Sequence, residues 1–494
     1  MKPKNTSSGG DAQSFFKTHS RVCGVILAGT KGSRLYPMTS ADMPKHLLPV
    51  AGFPSILRLI QSLSNFPELV IAVNQQDSLT LETLVKEVCT LKDNTEDVWN
   101  LEYKATKQKI TLLKLSEDCF GSADALRQVE AKHIIHPKTR VVVIPGDLVI
   151  LKRHLNLDAL IRPSNDSACT TLLIDVGEVD EHGVPLKESA KAKKGGLGRD
   201  EEDIEYIGLS YPKIKTSSLS PPILPRIVLK ESKLDVEADE DMTGSTAKLD
   251  LPKPRVHKGK LVIRTEWSDV HIYSLAPWVR ELVVERKTIS SIQSGLLPLL
   301  VSRKFRGKKA TFGSSLPDEN DENSENDENS ENKDRQNSEA FSEEPYSVSA
   351  LVLEPKTVLR IDNIPAYIFA CKETVANGSE LPMPTDSRWN GKFLSLVLKE
   401  STLGAKVNMK SSIVGTACQL GSKCRLNNVI IMDHVVIGEN CSLQNTILGS
   451  GVVLGNNCSL NDCQVGPGMN LPAGTKEKGE SFMVGADLIV DDIL

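Results

Sequence analysis

Several common features are scarce or absent in this sequence, and each absence excludes a class of protein. Aromatic residues make up only 4% of the 494 residues, and no apolar run approaches the roughly 18 residues that a membrane-spanning helix requires. None of the ten cysteines forms a C-x-x-C pair, so the sequence does not predict a zinc ribbon. Residues 1–20 lack the continuous apolar stretch of a secretory signal and are predicted to be a disordered lead. Without an export signal, the cysteines indicate reduced thiols and a protein of the cytosol.

Strong charge of one sign is absent outside a single segment. The formal net charge is −5, yet Asp318 to Glu344 holds twelve acidic residues against Lys333 and Arg335, a local net charge of −10. The rest of the chain therefore carries only +5, which argues against direct binding of nucleic acid. The acidic stretch cannot bury enough apolar surface to offset chain entropy, so residues 313–346 are predicted to be a low-complexity linker between domains.

The two commonest phosphate-binding motifs are missing as well. A P-loop needs Lys directly after its last Gly, but Thr30 follows Gly29, and the dinucleotide spacing G-x-G-x-x-G does not occur.

The stretch from Gly24 to Pro54 nevertheless has the character of a phosphate site. Residues 25–27 form a short apolar run that predicts a buried strand, and it stops at a glycine-containing turn where backbone N–H groups can approach phosphate oxygens. Two cations follow at fixed positions, as a triphosphate or a sugar phosphate would require. The predicted nucleotide-phosphate site consists of Gly29, Gly32, Arg34 and Lys45.

Residues 21–312 alternate short apolar strands with amphipathic helical stretches, which predicts a Rossmann-like α/β domain with a mostly parallel sheet. The run VVVIPGD (141–147) reads as a buried strand that ends in an acidic residue. Ligands of α/β proteins lie outside the carboxyl ends of strands, so Asp147 is predicted to hold Mg²⁺ against phosphate oxygens.

A repeat of 17 residues fills the C-terminal part. Three sets of aliphatic residues each recur at this spacing, with steps of 6, 6 and 5 residues between the sets: Val414, Ile431, Leu448 and Val465; Leu420, Ile437, Leu454 and Leu471; Leu426, Leu443 and Leu460. A three-sided coil with one inward aliphatic residue per side produces this pattern. The sequence therefore predicts a left-handed parallel β-helix of hexapeptide repeats at 395–494, joined to the linker by a connecting segment at 347–394.

The N-terminal stretch resembles the signature of the sugar-nucleotide pyrophosphorylases, which implies a nucleotidyltransferase fold. GSADAL (121–126) is similar to the family segment that approaches base and sugar, and DVHIY (269–273) occupies the position of the family strand N-x-G-[IL]-Y. Four features depart from the family: Thr30 replaces a Gly, Phe53 replaces a Lys, Asp269 replaces an Asn, and a Glu-Lys-Pro segment with the sugar-phosphate lysine is missing between 170 and 260. The departures indicate a fold kept for structure while its chemistry decays.

Both domains together resemble the gamma-subunit family of eukaryotic translation initiation factor 2B. The resemblance rests on PKHLLPV (44–50), GSADALRQ (121–128), VVVIPGDLV (141–149), DVHIYSL (269–275), SIQSGLLPLLV (291–301), and a run from SSIVG (411) to NDCQVG (461–466). It implies a cytosolic hetero-oligomer that exchanges GDP for GTP on initiation factor 2, its substrate. This chain would pair with a catalytic epsilon subunit and with the other subunits, and would have no catalytic residues of its own.

Further expectations follow from this resemblance. The epsilon subunit continues into a C-terminal helical exchange domain, whereas this chain ends at Leu494, just after the β-helix, so no exchange domain is expected in it. No cofactor is required, although the vestigial pocket could hold a purine nucleotide weakly with Mg²⁺.

Two other functions remain open at this point. One is a working sugar-nucleotide pyrophosphorylase of the GDP-mannose or ADP-glucose type with a regulatory β-helix, favoured by Gly32, Arg34, Lys45 and Asp147. The other is a β-helix acyltransferase with His434 as base, although a lone histidine at a coil corner is more often a solvated side chain.

Overall fold

The computed structural model describes residues 22–29, 32–40, 43–152, 157–161, 167–175, 204–211, 224–236, 260–302, 346–354, 356–378, 381, 383–384 and 386–483. The predicted lead (1–20), Thr30 and, apart from Tyr346, the predicted linker (313–346) lie outside these residues.

The first domain contains sixteen described strands, numbered in chain order. They are β1 (Val22–Ala28), β2 (Pro49–Val50), β3 (Phe53–Pro54), β4 (Glu68–Asn74), β5 (Cys89–Asn94), β6 (Val98–Tyr103), β7 (Lys109–Leu115), β8 (Arg140–Pro145), β9 (Leu148–Ile150), β10 (Ser167–Asp175), β11 (Glu205–Tyr211), β12 (Arg226–Ser232), β13 (Lys260–Arg264), β14 (Trp267–Leu275), β15 (Ser347–Leu353) and β16 (Val358–Arg360).

Helices flank these strands. The described α-helices are α1 (Ser55–Ser62), α2 (Gln75–Val88), α3 (Ser122–Ala131), α4 (Asp158–Ile161), α5 (Pro277–Glu285), α6 (Leu297–Ser302) and α7 (Ile364–Ala376). Two short 3-10 helices lie at Ser33–Leu35 and Lys45–Leu47, and a π-helical turn at Ile292–Leu296 precedes α6. Among the residues described, every helix is too short or too polar to cross a membrane.

Twelve of the strands form one sheet in the order β13-β11-β12-β15-β10-β14-β8-β1-β4-β7-β6-β5. Parallel pairing is confined, in the described sheet, to β8-β1-β4-β7 and to β10-β15, and the other pairs are antiparallel. The predicted mostly parallel sheet is therefore wrong outside the centre. Buried apolar runs identify strands but carry no information about direction, whereas the connections between strands decide it.

Both faces of this sheet are buried, which explains the continuous apolar runs of the central strands. Val25 packs with helices α3 and α5 on one face, whereas Ile26 packs with α1 and α2 on the other. In β1 and β8, all but two of the residues are buried, as expected for strands covered on both sides.

The segment after the acidic linker belongs largely to the first domain. Strand β15 lies between β12 and β10 in the large sheet, and β16 pairs with β9. Residues 347–394, predicted as a connecting segment, thus place two strands in the first domain and helix α7 against its surface. The boundary with the β-helix lies after α7.

The C-terminal domain is a left-handed parallel β-helix. Its strands are β17 (Arg388–Asn390), β18 (Ser395–Val397), β19 (Thr402–Leu403), β20 (Asn408–Lys410), β21 (Ile413–Val414), β22 (Gln419–Leu420), β23 (Arg425–Asn427), β24 (Ile430–Ile431), β25 (Val436–Ile437), β26 (Ser442–Gln444), β27 (Ile447–Leu448), β28 (Val453–Leu454), β29 (Ser459–Asn461), β30 (Gln464–Val465), β31 (Asn470–Leu471), β32 (Lys476–Lys478) and β33 (Ser481–Phe482).

The strand register of this domain matches the 17-residue spacing. Leu420 pairs with Ile437, and Ile437 pairs in turn with Leu454. The three predicted aliphatic sets are buried in one interior cluster, which also contains Cys424, Cys441 and Cys458.

The corners of the coils are made by residues with positive φ, some of them glycines such as Gly451 and Gly468 and many of them not. His434 (φ 61°) and Asn440 (φ 55°) occupy two such corners. Gly421, which follows Leu420, is required by close approach, because a Cβ there would lie 2.6 Å from a backbone atom of Gly438 in the next coil.

One outer face of the β-helix packs on the first domain. Ile413, Ile430 and Ile447 point outward from the first β-helix sheet and are buried together with residues of α7 and of the loop that contains Leu48. The hydroxyl of Tyr367 in α7 also donates a hydrogen bond to the carbonyl of Pro49 (2.9 Å). Helix α7 therefore contacts both this face of the β-helix and the segment that follows Lys45.

Candidate functional site

The candidate site lies where β1 and β8 end at the same edge of the sheet. These strands are parallel and in register, with Leu27 opposite Pro145. Gly29 follows β1, and Asp147 follows β8. The ends of the two strands lie close together, because the N–H of Gly146 donates to the carbonyl of Leu27 (2.8 Å).

Asp147 is bound by two cations. Its side chain is 1% exposed, and its Oδ2 lies 2.6 Å from Nζ of Lys45. Arg360 approaches both oxygens, with Nε 3.3 Å from Oδ1 and a terminal nitrogen 3.1 Å from Oδ2. Burial alone would raise the pKa of the Asp147 carboxyl, but the charges of Arg360 and Lys45 and their hydrogen bonds hold it well below its ordinary value. The carboxylate is therefore ionised and paired.

Arg360 reaches Asp147 because β16 pairs with β9, which places Arg360 opposite Leu148. The guanidinium of Arg360 also contacts His271, with 2.9 Å between a guanidinium nitrogen and Nδ1 of the imidazole. Burial, and then the charge of Arg360, lower the pKa of His271 to about 3, so this imidazole is neutral and can accept from the guanidinium.

His271 has a left-handed backbone conformation (φ 61°). This is the position at which the N-x-G-[IL]-Y pattern has glycine. A non-glycine residue is strained at such a φ, and the hydrogen bond from the N–H of His271 to Oδ1 of Asp269 (2.8 Å) helps to hold it there.

Asp269 continues the polar network on the far side of His271. It accepts from the hydroxyl of Tyr273 at 3.0 Å and from the hydroxyl of Thr171 at 3.2 Å. Its Oδ2 also lies 3.8 Å from Nζ of Lys230, which forms a second ion pair with Glu205 on the neighbouring strand. Lys230 is almost fully buried between these two carboxylates.

The formal charges of this network cancel. Three cations (Lys45, Arg360 and Lys230) face three carboxylates (Asp147, Asp269 and Glu205). Buried ions are tolerated when each one is paired and hydrogen-bonded. The protein's own side chains thus supply the counter-ions that a nucleotide phosphate and a metal would otherwise supply.

The glycine turn is held by two polar side chains. The amide of Asn74 donates to the carbonyl of Gly29, and the hydroxyl of Thr39 donates to the carbonyl of Gly32 (2.8 Å). Arg34 lies exposed on the 3-10 helix after this turn. The structure thus brings Lys45 and Asp147 into direct contact. For Gly29, Gly32 and Arg34, a role in phosphate binding stays a prediction.

Phe53 packs under a buried arginine. The guanidinium carbon of Arg58 lies 4.9 Å from the centroid of the Phe53 ring, and Nε of Arg58 donates to the carbonyl of Val50 (2.9 Å). The pyrophosphorylase pattern has a lysine at position 53. An aromatic ring here serves packing, since it supplies no charge to a phosphate.

The segment that resembles the base- and sugar-binding GSADAL is covered by its own chain. The N–H of Ala123 donates to the carbonyl of Ser290 (2.9 Å), and the N–H of Ile292 donates to the hydroxyl of Ser122 (2.8 Å). A Cβ at Gly121 would lie 2.2 Å from the Ser290 carbonyl oxygen. The N-terminus of α3 therefore faces residues 290–292.

The donor set at Asp147 does not fit Mg²⁺ as it is arranged. Cations contact both of its oxygens, and the described residues include no cluster of three or more His, Cys, Asp or Glu side chains that would hold a metal ion. Magnesium binding stays a prediction, and it requires Asp147 to release Lys45 or Arg360.

Sequence reasoning missed Arg360 and Lys230. A signal for both exists, because each is a cation that directly follows an apolar run, in VLR (358–360) and in IVLK (227–230). A cation in such a position must find a buried carboxylate. His434, the candidate base of an acyltransferase, lies exposed at a coil corner.

Comparison with known proteins gives a match for each domain. Residues 23–187 match the family described as nucleotidyl transferase, and residues 385–474 match the family described as GlmU-like, C-terminal hexapeptide. The fold prediction is confirmed: a Rossmann-like nucleotidyltransferase domain is followed by a left-handed β-helix.

The chain is also similar to two proteins named translation initiation factor eIF2B subunit gamma. It is 27% identical over 286 residues to that of Schizosaccharomyces pombe (strain 972), an alignment that covers 57% of this chain and 51% of that protein. It is 24% identical over 311 residues to that of Caenorhabditis elegans, covering 60% of this chain and 62% of that protein. The alignments thus span about half to three fifths of the relatives' own length.

Proposed function

We propose that this protein is a non-catalytic, gamma-type subunit of the factor that converts initiation factor 2 from its GDP-bound to its GTP-bound form. One observation carries the proposal: the site at the edge of the sheet is neutralised by the chain's own side chains. A nucleotidyltransferase must hold a triphosphate with cations and a divalent metal with carboxylates. Here Lys45 and Arg360 are both engaged by Asp147.

The names of the relatives support this function over other uses of the fold. Both are described as gamma subunits of a translation initiation factor, and the similarity extends over more than half of this chain. In the proposed complex, this chain acts in the cytosol as scaffold and substrate-binding partner. It pairs with a catalytic epsilon-like subunit through the nucleotidyltransferase-like domains and assembles with the other subunits.

The isolated chain is expected to leave the rate of GDP release from initiation factor 2 at its spontaneous value. When it is combined with an epsilon-like subunit, release should exceed that obtained with the epsilon-like subunit alone, because the scaffold adds substrate contacts but no exchange chemistry. Stopped-flow release of fluorescently labelled GDP measures both rates. Robust acceleration by the isolated chain would contradict the proposal.

The alternative is a working sugar-nucleotide pyrophosphorylase, favoured by the match of residues 23–187 to the nucleotidyl transferase family. Isolation of the native protein separates the two functions. Co-purification with a set of unlike subunits supports the initiation factor, whereas a homo-oligomer that releases pyrophosphate supports the enzyme.

Purine nucleotides are expected to bind weakly and without sugar-nucleotide synthesis. The reason is that Lys45 must leave Asp147 before it can contact a phosphate. Calorimetric titration with GTP and Mg²⁺ measures binding, and a pyrophosphate assay with GTP and mannose-1-phosphate measures synthesis. The matched control is Lys152→Ala, since Lys152 forms an exposed ion pair with Glu354. Pyrophosphate release that Lys45→Ala abolishes and Lys152→Ala preserves would establish the enzyme instead.

A further inference from the structure

The first coil of the β-helix consists of β18, β19 and β20. Two of these three strands, β19 and β20, lie at the edge of their sheets. Strand β18 is covered by β17, which pairs with it in the antiparallel direction. Within the part of the chain that the structure describes, β19 and β20 have partners only in the second coil. The β-helix therefore begins with an open end.

Backbone groups of β19 point into this open end. The N–H groups of Thr402 and Gly404 donate to carbonyls of the second coil, at 2.9 Å to Cys418 and 2.8 Å to Leu420. Successive backbone groups of a strand point in opposite directions, so the N–H and C=O of Leu403, between them, face away from the second coil. An edge of this kind is a template for another strand.

The open end is lined by apolar side chains around a cavity of about 530 Å³. Leu403, Val407 and Met409 line the cavity and are only partly buried. Their counterparts one coil later, Leu420, Cys424 and Leu426, are almost fully buried. The first coil thus has interior side chains without the covering coil that every later interior residue has.

Exposed aromatic residues extend this apolar surface. Trp389 is 40% exposed and Phe393 is 48% exposed, and both lie on the hairpin formed by β17 and β18. Phe393 also lines the cavity.

Positive charge is concentrated at the same end. Residues 386–410 contain five basic and two acidic residues, whereas residues 426–483 contain two basic and five acidic residues. Arg388 and Lys406 both line the cavity, and no described carboxylate forms an ion pair with either of them. A partner that covers this end would complement its positive charge by carrying negative charge.

We propose that the open end binds an extended, acidic segment of a partner polypeptide, in which apolar and acidic residues alternate. The segment adds to β19 as a further strand and hydrogen-bonds the backbone of Leu403. Its apolar side chains enter the cavity, and its carboxylates meet Arg388 and Lys406. This is strand addition, with the backbone supplying affinity and the alternating side chains supplying specificity. The inference does not depend on the proposed function, because it concerns a surface away from Asp147.

The test uses the full chain and two synthetic peptides, one of alternating glutamate and valine and one of alternating lysine and valine, each fluorescently labelled. Fluorescence anisotropy should show saturable binding of the glutamate peptide that weakens as salt is raised. The double variant Arg388→Glu/Lys406→Glu should weaken this binding by about tenfold or more, since two attractions become repulsions. Lys423→Glu is the matched control, because Lys423 lies at the same corner one coil later and does not line the cavity.

A second variant tests the backbone contact. Leu403→Pro removes the N–H that faces the open end and leaves the donors of Thr402 and Gly404 to the second coil in place. Loss of glutamate-peptide binding with an unchanged melting temperature supports strand addition. Should this variant melt early, the charge variants at exposed positions still decide the proposal.

Several results would overturn it. Equal weakening by Lys423→Glu, or equal binding of the lysine peptide, would indicate contacts without a specific site. Binding of anionic phospholipid vesicles in place of the peptide would assign the surface to lipid. Dimerisation that Leu403→Pro abolishes would assign it to a second copy of this chain. Peptide binding that appears only after deletion of residues 318–344 would assign it to the chain's own acidic segment.

Discussion

Replacement of Ile437 by aspartate is expected to unfold the β-helix at temperatures where the wild-type protein is stable. Ile437 is 2% exposed in the interior and pairs with Leu420 and Leu454 in the adjacent coils. A carboxylate at this position would be buried without a partner, at a cost of about 4 kcal/mol or more in the free energy of unfolding. Urea denaturation followed by circular dichroism measures the loss.

Gln444→Asp is the matched control. Gln444 lies on β26 with its side chain exposed, so its replacement should change the free energy of unfolding by no more than about 0.5 kcal/mol.

The damage at Ile437 should also reach complex assembly, because a coil is stable only when it is stacked on its neighbours. Pull-down of partner subunits by the two variants measures this effect. If Ile437→Asp assembles and melts like the wild type, the interior register is wrong.

The β-helix could be predicted almost completely because its determinants are local and periodic. The spacing of Leu420, Ile437 and Leu454 alone identifies the coil length and the inward face. The contacts of the outward face could not be predicted from the sequence. Ile413, Ile430 and Ile447 look like ordinary aliphatic residues of a repeat, and only the structure shows that they lie under helix α7 and the first domain.

In the first domain, the strands were predictable but their arrangement was not. The apolar run at 141–145 identifies β8, yet nothing in it shows that β14 joins it in the antiparallel direction. The contribution of β15 to the same sheet was missed for another reason. It follows a long acidic segment that reads as a domain boundary, and sequence distance gives no information about spatial distance.

The candidate site was also predictable only where its determinants are local in sequence. Lys45 and Asp147 were identified because each lies in a short motif with a clear local context. Arg360 is 213 residues from Asp147 in sequence, and its role depends on the pairing of β16 with β9. Without that pairing, Asp147 looks like a carboxylate available to a metal, and with it the carboxylate is already bound by two cations.

Replacement of Asp147 by alanine is expected to destabilise the first domain by about 3–5 kcal/mol. Lys45 and Arg360 would then be largely buried cations without a counter-ion, which is the costly way to break a buried ion pair. The matched control is Glu354→Ala, which removes an exposed ion pair with Lys152 (2.7 Å) and should leave the free energy of unfolding nearly unchanged. Chemical denaturation of the two variants measures the difference.

Adding Arg360→Leu to Asp147→Ala should recover part of the lost stability, because one of the two unpaired cations is then removed. The difference between the double variant and the sum of the single variants gives the coupling free energy of the pair. A coupling near zero would contradict the buried pairing of Arg360 with Asp147.

Mg²⁺ provides an independent check on the same carboxylate. A rise in melting temperature with Mg²⁺ in the wild type, absent in Asp147→Ala, would show that Asp147 exchanges its cations for a metal, whereas no rise in either protein is expected if the ion pairs persist.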